Sequence, residues 1–153
     1  MYADTMSSHV WDGIAGVWGS SLSGFVHPHS GHAMVYDSTR DKLVMFRGFE
    51  TFEGAGFVWQ QVSAVGPSDR VEQAMVFDSR RNVTVLFGGV STQPGQALLG
   101  DTWEWNGATW ILRPTSSGPT PRKFHAMAFN EELGRAVLFG VNHQQIAPMG
   151  AGE

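Results

Sequence analysis

The chain has 153 residues, of which 42% are hydrophobic and 16% are charged, a balance typical of a folded protein with a core. Its 10 basic and 14 acidic residues give a net charge of −4, which argues against nucleic-acid binding. The chain has no cysteine, which excludes disulfides and cysteine-ligated metals, and no apolar run is long enough to span a membrane. Nineteen glycines, many at turn-like positions, favour an all-β fold.

Two kinds of hairpin alternate along the chain, and the first kind has nine residues. It carries an aromatic residue at the second place, an acid at the third and tryptophan at the ninth. The copies read VWDGIAGVW at 10–18, TFEGAGFVW at 51–59 and TWEWNGATW at 102–110. In the last copy, Asn106–Gly107 indicates a hairpin turn. We interpret the aromatic residues as structural filler between packed sheets, with stacking on a sugar as the alternative. The tryptophans concerned are Trp18, Trp59, Trp103 and Trp110.

The second kind of hairpin begins at His32, Gln73 and His125. Its copies read HAMVYDSTRDKLVMFRG, QAMVFDSRRNVTVLFGG and HAMAFNEELGRAVLFGV. Because these strands are apolar almost throughout, we expect neighbouring sheets to cover both of their faces. At the turn, Asp37 and Asp78 should accept hydrogen bonds from backbone amides that follow them.

One hairpin of each kind makes a repeat of four strands. Successive copies of the second hairpin begin 41 and 52 residues apart. A period of this length, with two hairpins in each unit, predicts a blade of a β-propeller.

The repeat resembles that of Kelch β-propellers, in the bacterial form grouped with the central domain of galactose oxidase. The stretches that carry the resemblance are PRKFHAMAF at 121–129, VTVLFGG at 83–89 and GDTWEWNGATW at 100–110. The diglycine Gly88–Gly89 belongs to this pattern, whereas the other copies have Arg47–Gly48 and Gly140–Val141. The resemblance implies an all-β fold, a partial β-propeller built of four-stranded antiparallel Kelch blades, as a single unit over 1–153.

The resemblance also divides the chain into blades. It implies the outer hairpin of a first blade at 10–18, blades at 31–60 and 73–111, and the inner hairpin of a last blade at 125–140. About three blades are too few to close a ring. Two explanations stay open: the chain is a piece of a longer propeller, or two copies form a homodimer with a six-bladed ring. Open strand edges and apolar faces would favour such association.

Candidate binding residues lie in loops that Kelch proteins usually present to partners on one face. The longest such loop, Val90–Gly100, contains Gln93 and Gln96. Equivalent places before the three inner strands hold His29, Arg70 and Arg122. These side chains could present donors to an anionic or hydroxyl-rich ligand. Alternatively, each arginine binds backbone carbonyls and ties neighbouring blades together.

No catalytic residue, cofactor or metal site is assigned. His27, His29 and His32 are close in sequence, but their spacing matches no helical ligand pair and no acid lies beside them. The resemblance raises the possibility of a copper site of the galactose oxidase type. That site requires a tyrosine–cysteine crosslink, which a chain without cysteine cannot form.

We therefore predict a non-catalytic binding module that presents loops on one face to a protein or carbohydrate partner, and neither to nucleic acid nor to a membrane. The alternative is a fragment of a Kelch enzyme, of the galactose oxidase or sialic acid isomerase type, whose catalytic residues lie outside the chain. No signal peptide is evident, and the compartment stays open, with a secreted or cell-surface parent as one option.

Overall fold

The computed structural model describes residues 7–22, 31–55 and 58–140, and these ranges contain fourteen strands and no helix. The prediction of an all-β chain is therefore confirmed. No helix in the described ranges could cross a bilayer. The strands form two four-stranded antiparallel sheets and three two-stranded ribbons.

The first ribbon is the N-terminal hairpin, made of β1 (Ser7–Asp12) and β2 (Val17–Leu22). Trp11 lies directly opposite Trp18, and their ring centroids are 5.4 Å apart. Asp12 closes the turn, because its Oδ1 accepts hydrogen bonds from the backbone N–H groups of Ile14 and Ala15. Both tryptophans of this hairpin are more than half exposed.

Sheet I follows and places its four strands side by side in chain order. Its strands are β3 (Ala33–Asp37), β4 (Lys42–Arg47), β5 (Glu50–Ala55) and β6 (Val58–Ser63). Only Gly48 and Phe49 connect β4 to β5. A positive φ of 62° at Gly48 allows this tight connection.

Sheet II has the same order and a small ribbon beside it. In chain order the strands of this region are β7 (Arg70–Val71), β8 (Ala74–Asp78), β9 (Val83–Phe87), β10 (Val90–Ser91), β11 (Thr102–Trp105) and β12 (Trp110–Arg113). The sheet consists of β8, β9, β11 and β12, while β7 pairs with β10. The turn predicted at Asn106–Gly107 is present: Gly107 has a φ of 93°, and Asn106 Oδ1 accepts hydrogen bonds from the backbone amides of Ala108 and Thr109.

The C-terminal hairpin comes last and consists of β13 (Ala126–Asn130) and β14 (Arg135–Phe139). The first strands of the three successive units are neighbours, because β8 contacts β3 on one side and β13 on the other. Every residue of β8 is buried, whereas β3 and β13 alternate between more and less exposed residues. Coverage of both faces, which the apolar sequences predicted for all three, is thus complete only for the strand with two neighbours.

The core lies between sheets I and II. Its buried members are Val44, Phe46, Met75, Leu86, Trp105 and Trp110. Trp110 packs edge-on against Phe46 at 5.6 Å between centroids, and its indole N–H donates to Thr51 Oγ1 at 2.7 Å. Burying a tryptophan of one sheet against the next, with its polar atom satisfied, stabilises the pair of sheets. Trp110 therefore lies packed between the two sheets.

In sheets I and II, a repeated ion-pair network joins the turn between the first two strands to the third strand. In sheet I, Arg40 binds Asp37 and Glu53 at 2.7 and 2.5 Å. In sheet II, Arg81 binds Asp78 and Glu104 at 2.7 and 2.6 Å. The aspartates also accept hydrogen bonds from backbone amides of their turns, as predicted.

The sequence pattern had shown the acids of this network but not their shared arginine. In the C-terminal hairpin the corresponding residues are Asn130 and Leu133. The turn bond survives there, since Leu133 N donates to Asn130 Oδ1 at 2.8 Å, but the ion pair does not.

Candidate functional site

The candidate site is the end of sheet II where its longest connection meets the segments before β8 and β13. We call this the loop end and define it as residues 68–73, 88–101 and 120–125. Backbone hydrogen bonds join the three segments: Thr92 N donates to Asp69 O, Gly89 N donates to Arg122 O, and Arg122 N donates to Leu99 O. The structure therefore brings the long loop together with both predicted arginines.

The diglycine makes this close crossing possible. Gly88 and Gly89 have φ values of 67° and 100°, which only glycine adopts without strain. A Cβ at Gly88 would lie 2.7 Å from the carbonyl oxygen of Arg122, and one at Gly89 would lie 2.7 Å from that of Val71. Gly88 therefore lets the backbone of the next unit approach, and Gly89 lets β7 of its own unit approach.

Arg70 is fully buried and uses its whole guanidinium within its own unit. It forms a two-pronged ion pair with Asp101, at 2.6 and 2.8 Å, and donates to the carbonyl of Gly88 at 3.2 Å. Nε and Nη2 also donate to the backbone carbonyl and hydroxyl of Ser68. All five N–H groups are engaged, so this side chain presents no donor to a ligand in this arrangement.

Asp101 is held as an anion by this contact. Burial alone would raise the pKa of its carboxyl, but the hydrogen bonds from Arg70 and from the indole of Trp103 outweigh burial and lower that pKa. Trp103 Nε1 donates to Asp101 at 2.6 Å. The predicted structural residue Trp103 thus supports the same ion pair.

Arg122 repeats the bonding of Arg70 with one partner fewer. Its Nη1 donates to the carbonyl of Gly140, and Nε and Nη2 donate to the carbonyl and hydroxyl of Thr120. No carboxylate among the described residues pairs with it, and it is only partly buried. Both guanidinium groups bond within their own unit, so neither arginine ties neighbouring units together.

In sheet I, the buried arginine comes from a different place in the repeat. Where Arg70 and Arg122 stand in the other units, this unit has His29, which lies outside the described residues. Its arginine is Arg47, at the place of the first glycine of the diglycine, and it binds Glu50 at 2.9 Å while lying over the ring of Phe52. The departure from the diglycine therefore supplies a buried cation, a role that the repeat comparison did not reveal.

Gln93 and Gln96 occupy the exposed tip of the long loop. The loop is closed at its base by the hydrogen bond from Ser91 N to Ala97 O at 2.9 Å, and Gln96 N donates to Gln93 O at 3.0 Å. Gln96 has a φ of 43°, so the tip is a tight turn. Both side chains face solvent on a loop whose base is fixed.

Two of the three acids of the loop end, Asp101 and Glu72, are bound to cations, and the third is Asp69. Besides Asp101, which Arg70 holds, Glu72 binds Lys123 at 2.9 Å across two of the three segments. An acid that serves as a general base or nucleophile has to face its substrate, whereas these two carboxylates face protein cations.

His125 is buried at this end, as Arg70 is. Its ring packs edge-on against Phe87, with 5.5 Å between centroids. Burial, together with the positive charge of Arg122, lowers the pKa of His125 below its ordinary value. At the equivalent place in sheet II, Gln73 donates to the carbonyl of Phe46 at 3.2 Å. Because Gln73 makes a structural bond there, we assign His125 to packing.

Metal-binding geometry does not occur in the part of the chain that the structure describes: no three histidine or acidic side chains there are grouped as ligands. His27 and His29 lie outside that part. No protein-family model matches the chain, and no curated protein matches it significantly in sequence. A function has to be inferred from the chain's own residues and their geometry.

Proposed function

We propose that the chain is part of a Kelch-type β-propeller and acts as a non-catalytic binding module. The repeated strand order of sheets I and II supports the propeller, as does the contact of β8 with both β3 and β13. In a propeller, the first strands of successive blades surround a common axis. The packing of Trp110 on the preceding sheet supports it further.

The observation that carries the binding role is the difference between two equivalent connections. Sheet I joins its second and third strands through Gly48 and Phe49 alone, whereas sheet II uses residues 88–101. The longer connection is closed at its base and places Gln93 and Gln96 in solvent. A well-anchored loop that exceeds what the turn requires is typical of a binding element on a rigid scaffold.

The exposed chemistry of the loop end fits a polar, uncharged ligand. Glutamine amides both donate and accept hydrogen bonds, as sugar hydroxyls and peptide groups require. Arg122, which has no carboxylate partner among the described residues, adds donors near the base of the loop. We therefore propose a carbohydrate or a protein segment as the partner.

The test is binding to a glycan array and to a peptide library, followed by titration of the best ligand. Gln93→Ala and Arg122→Ala should each weaken binding about tenfold, as the loss of a hydrogen bond in an interface does. The matched control is Gln60→Ala, because Gln60 is an exposed glutamine on β6, outside the loop end. Equal losses in Gln93→Ala and Gln60→Ala would contradict the proposed site.

A further inference from the structure

By their place in the sequence repeat, the N-terminal and C-terminal hairpins correspond to the two halves of a four-stranded sheet. The N-terminal hairpin matches β5–β6 and β11–β12, and the C-terminal hairpin matches β3–β4 and β8–β9. In sheets I and II these halves are paired through the second and third strands. Among the described strands, however, β1 pairs only with β2, and β14 pairs only with β13.

We propose that the free edge of β14 binds β1 of a second copy of this chain, and that the exchange is reciprocal. Two copies would then complete two further four-stranded sheets. Such an arrangement has twofold symmetry and is closed, so it leaves neither of these edges open. This interface is independent of what the loop end binds.

The two complete sheets predict the register of the pairing. Phe46 lies opposite Thr51 in sheet I, and Phe87 lies opposite Thr102 in sheet II. The corresponding residues of the hairpins are Phe139 and Val10, which should therefore face each other across the interface. The same shift sets Leu138 opposite Trp11 and Val137 opposite Asp12.

Burial differs as the proposal requires. Val44 and Phe46 of β4 are fully buried, and Val85 and Phe87 of β9 are 6% and 4% exposed. Their equivalents in β14, Val137 and Phe139, are 49% and 84% exposed. An apolar strand with an unpaired edge and an uncovered face is a surface for association.

Trp18 is the exposed aromatic residue that this pairing would cover, although its register differs from that of Trp110. Trp18 lies opposite Trp11, whereas Trp103, the equivalent of Trp11, lies opposite Leu112. In sheet II, Trp110 fills a socket of sheet I formed by Phe46, Thr51 and Gly66. The space where a Cβ of Gly66 would point is filled by the indole of Trp110. We call these three residues the filled socket.

The residues of sheet II at the equivalent places are Phe87, Thr102 and Gly118, and the ring of His125 packs on Phe87. Gly118 stands four residues before Arg122, as Gly66 stands four before Arg70, and the nearest atom to a Cβ there would be Thr115 Oγ1 at 3.5 Å. Thr102 is partly exposed, whereas Thr51 is only 1% exposed. Trp18 of a second copy, which is 66% exposed in the single chain, would be covered by this side of sheet II.

The charged residues of the hairpins are compatible with this pairing. The arginine that binds the third-strand acid in sheets I and II is replaced by Leu133. The acid concerned would be Asp12, which is already satisfied by two backbone amides of its own turn. The loss of the cation in one hairpin is therefore matched by an acid in the other that does not require it.

The first test is the mass of the chain in solution, by sedimentation equilibrium over a range of concentrations. We expect a dimer, and Trp18→Ala should raise its dissociation constant at least about tenfold. Trp18 is exposed in the single chain, so the variant should still fold, which far-UV circular dichroism checks. The control Ile14→Ala removes a fully exposed residue from the turn of the same hairpin and should leave the mass unchanged.

The second test fixes the register, and the absence of native cysteine makes it simple. Val10→Cys and Phe139→Cys are prepared as separate proteins, mixed and oxidised. Each protein carries a single cysteine, so a disulfide between Val10→Cys and Phe139→Cys joins two chains. It forms only if the two Cα atoms lie within about 7 Å of each other. Val10→Cys mixed with Leu133→Cys is the control and should not crosslink.

Several results would overturn the proposal. A chain that stays monomeric at all concentrations would do so, as would a dimer that Trp18→Ala does not weaken. Equal crosslinking with Leu133→Cys would refute the register. A monomer that instead binds a synthetic peptide of residues 7–22 would show that the edge accepts this hairpin but that a second copy is not its source.

Discussion

Trp110 and Trp18 occupy the same place in the repeat, yet one is 9% exposed and the other 66%. The hairpins that carry them are both antiparallel but differ in register, because Trp18 lies opposite Trp11 at the second place of the repeat and Trp110 lies opposite Trp105 at the fourth. They differ in what lies beside them, since β12 belongs to a sheet that packs on sheet I, while the N-terminal hairpin is a two-stranded ribbon. The comparison teaches that the same place in the repeat does not by itself bury a tryptophan, because burial requires a neighbouring sheet to pack against it.

The largest expected effect tests that difference directly. Trp110→Ala should lower the free energy of unfolding by about 3–5 kcal/mol, because it leaves a cavity between two sheets and removes the bond to Thr51. Trp18→Ala should cost less than about 1 kcal/mol in the dissociated chain. Urea denaturation at low protein concentration measures both. Equal losses of unfolding free energy would contradict the exposed position of Trp18 in the single chain.

The next effect compares the two arginines of the loop end. Arg70→Met should destabilise the chain by about 3 kcal/mol, because it leaves the carboxylate of Asp101 without its cation and removes the hydrogen bond to the carbonyl of Gly88. Arg122→Met should cost about 1 kcal/mol or less, since no carboxylate loses its partner. Urea denaturation of the two variants in parallel distinguishes them. A larger loss for Arg122→Met would contradict the structural role of the buried ion pair.

A smaller effect is expected at the turn network. Asp78→Asn should cost about 1 kcal/mol, because the amide oxygen can still accept the backbone hydrogen bonds but the ion pair with Arg81 is lost. The estimate is modest because Arg81 is 54% exposed and solvent screens its charge. Asn130→Asp should change stability by less than about 0.5 kcal/mol, since Leu133 offers no charge to pair with. Thermal unfolding at low and high salt is the measurement, and a loss for Asp78→Asn that salt does not reduce would contradict an ionic cause.

The smallest effect is a dependence on pH. The pKa of His125 is lowered in the folded chain, so below about 6.5 the unfolded chain binds more protons than the folded one. Stability should therefore fall as pH decreases from about 6.5 to the folded pKa, and the contribution is complete above that window. His125→Gln, which installs the residue found at Gln73, should remove this slope. His32→Gln is the control, because His32 has the same place in the repeat but is exposed; an equal loss of slope there would contradict the assignment.

Local features were the most predictable part of the fold. The turn at Asn106–Gly107 and the hydrogen bonds accepted by Asp37 and Asp78 depend on residues within four positions of each other. Alternating and apolar stretches predicted strands close to those observed, because the side-chain period of a strand is visible in the sequence. The ends were less accurate: β6 runs to Ser63 rather than stopping near residue 60.

The candidate site was predictable only in part. Gln93 and Gln96 were identified because their loop is long, and loop length can be read from repeat alignment. The sequence left the role of Arg70 open, because whether a guanidinium faces a ligand or a carboxylate depends on Asp101, 31 residues later. In the repeat comparison Arg47 is only a departure from the diglycine. Its ion pair with Glu50, which makes it a structural residue, is visible only in the structure.

The amino-acid sequence by itself determined the all-β class and the two kinds of hairpin, because each follows from local spacing and turn chemistry. The tertiary structure decided which faces of those hairpins are buried and which arginine meets which acid. Burial and ion pairing are properties of surfaces that come from distant parts of the chain. The same kind of hairpin is therefore buried where a neighbouring sheet packs against it and exposed where none does.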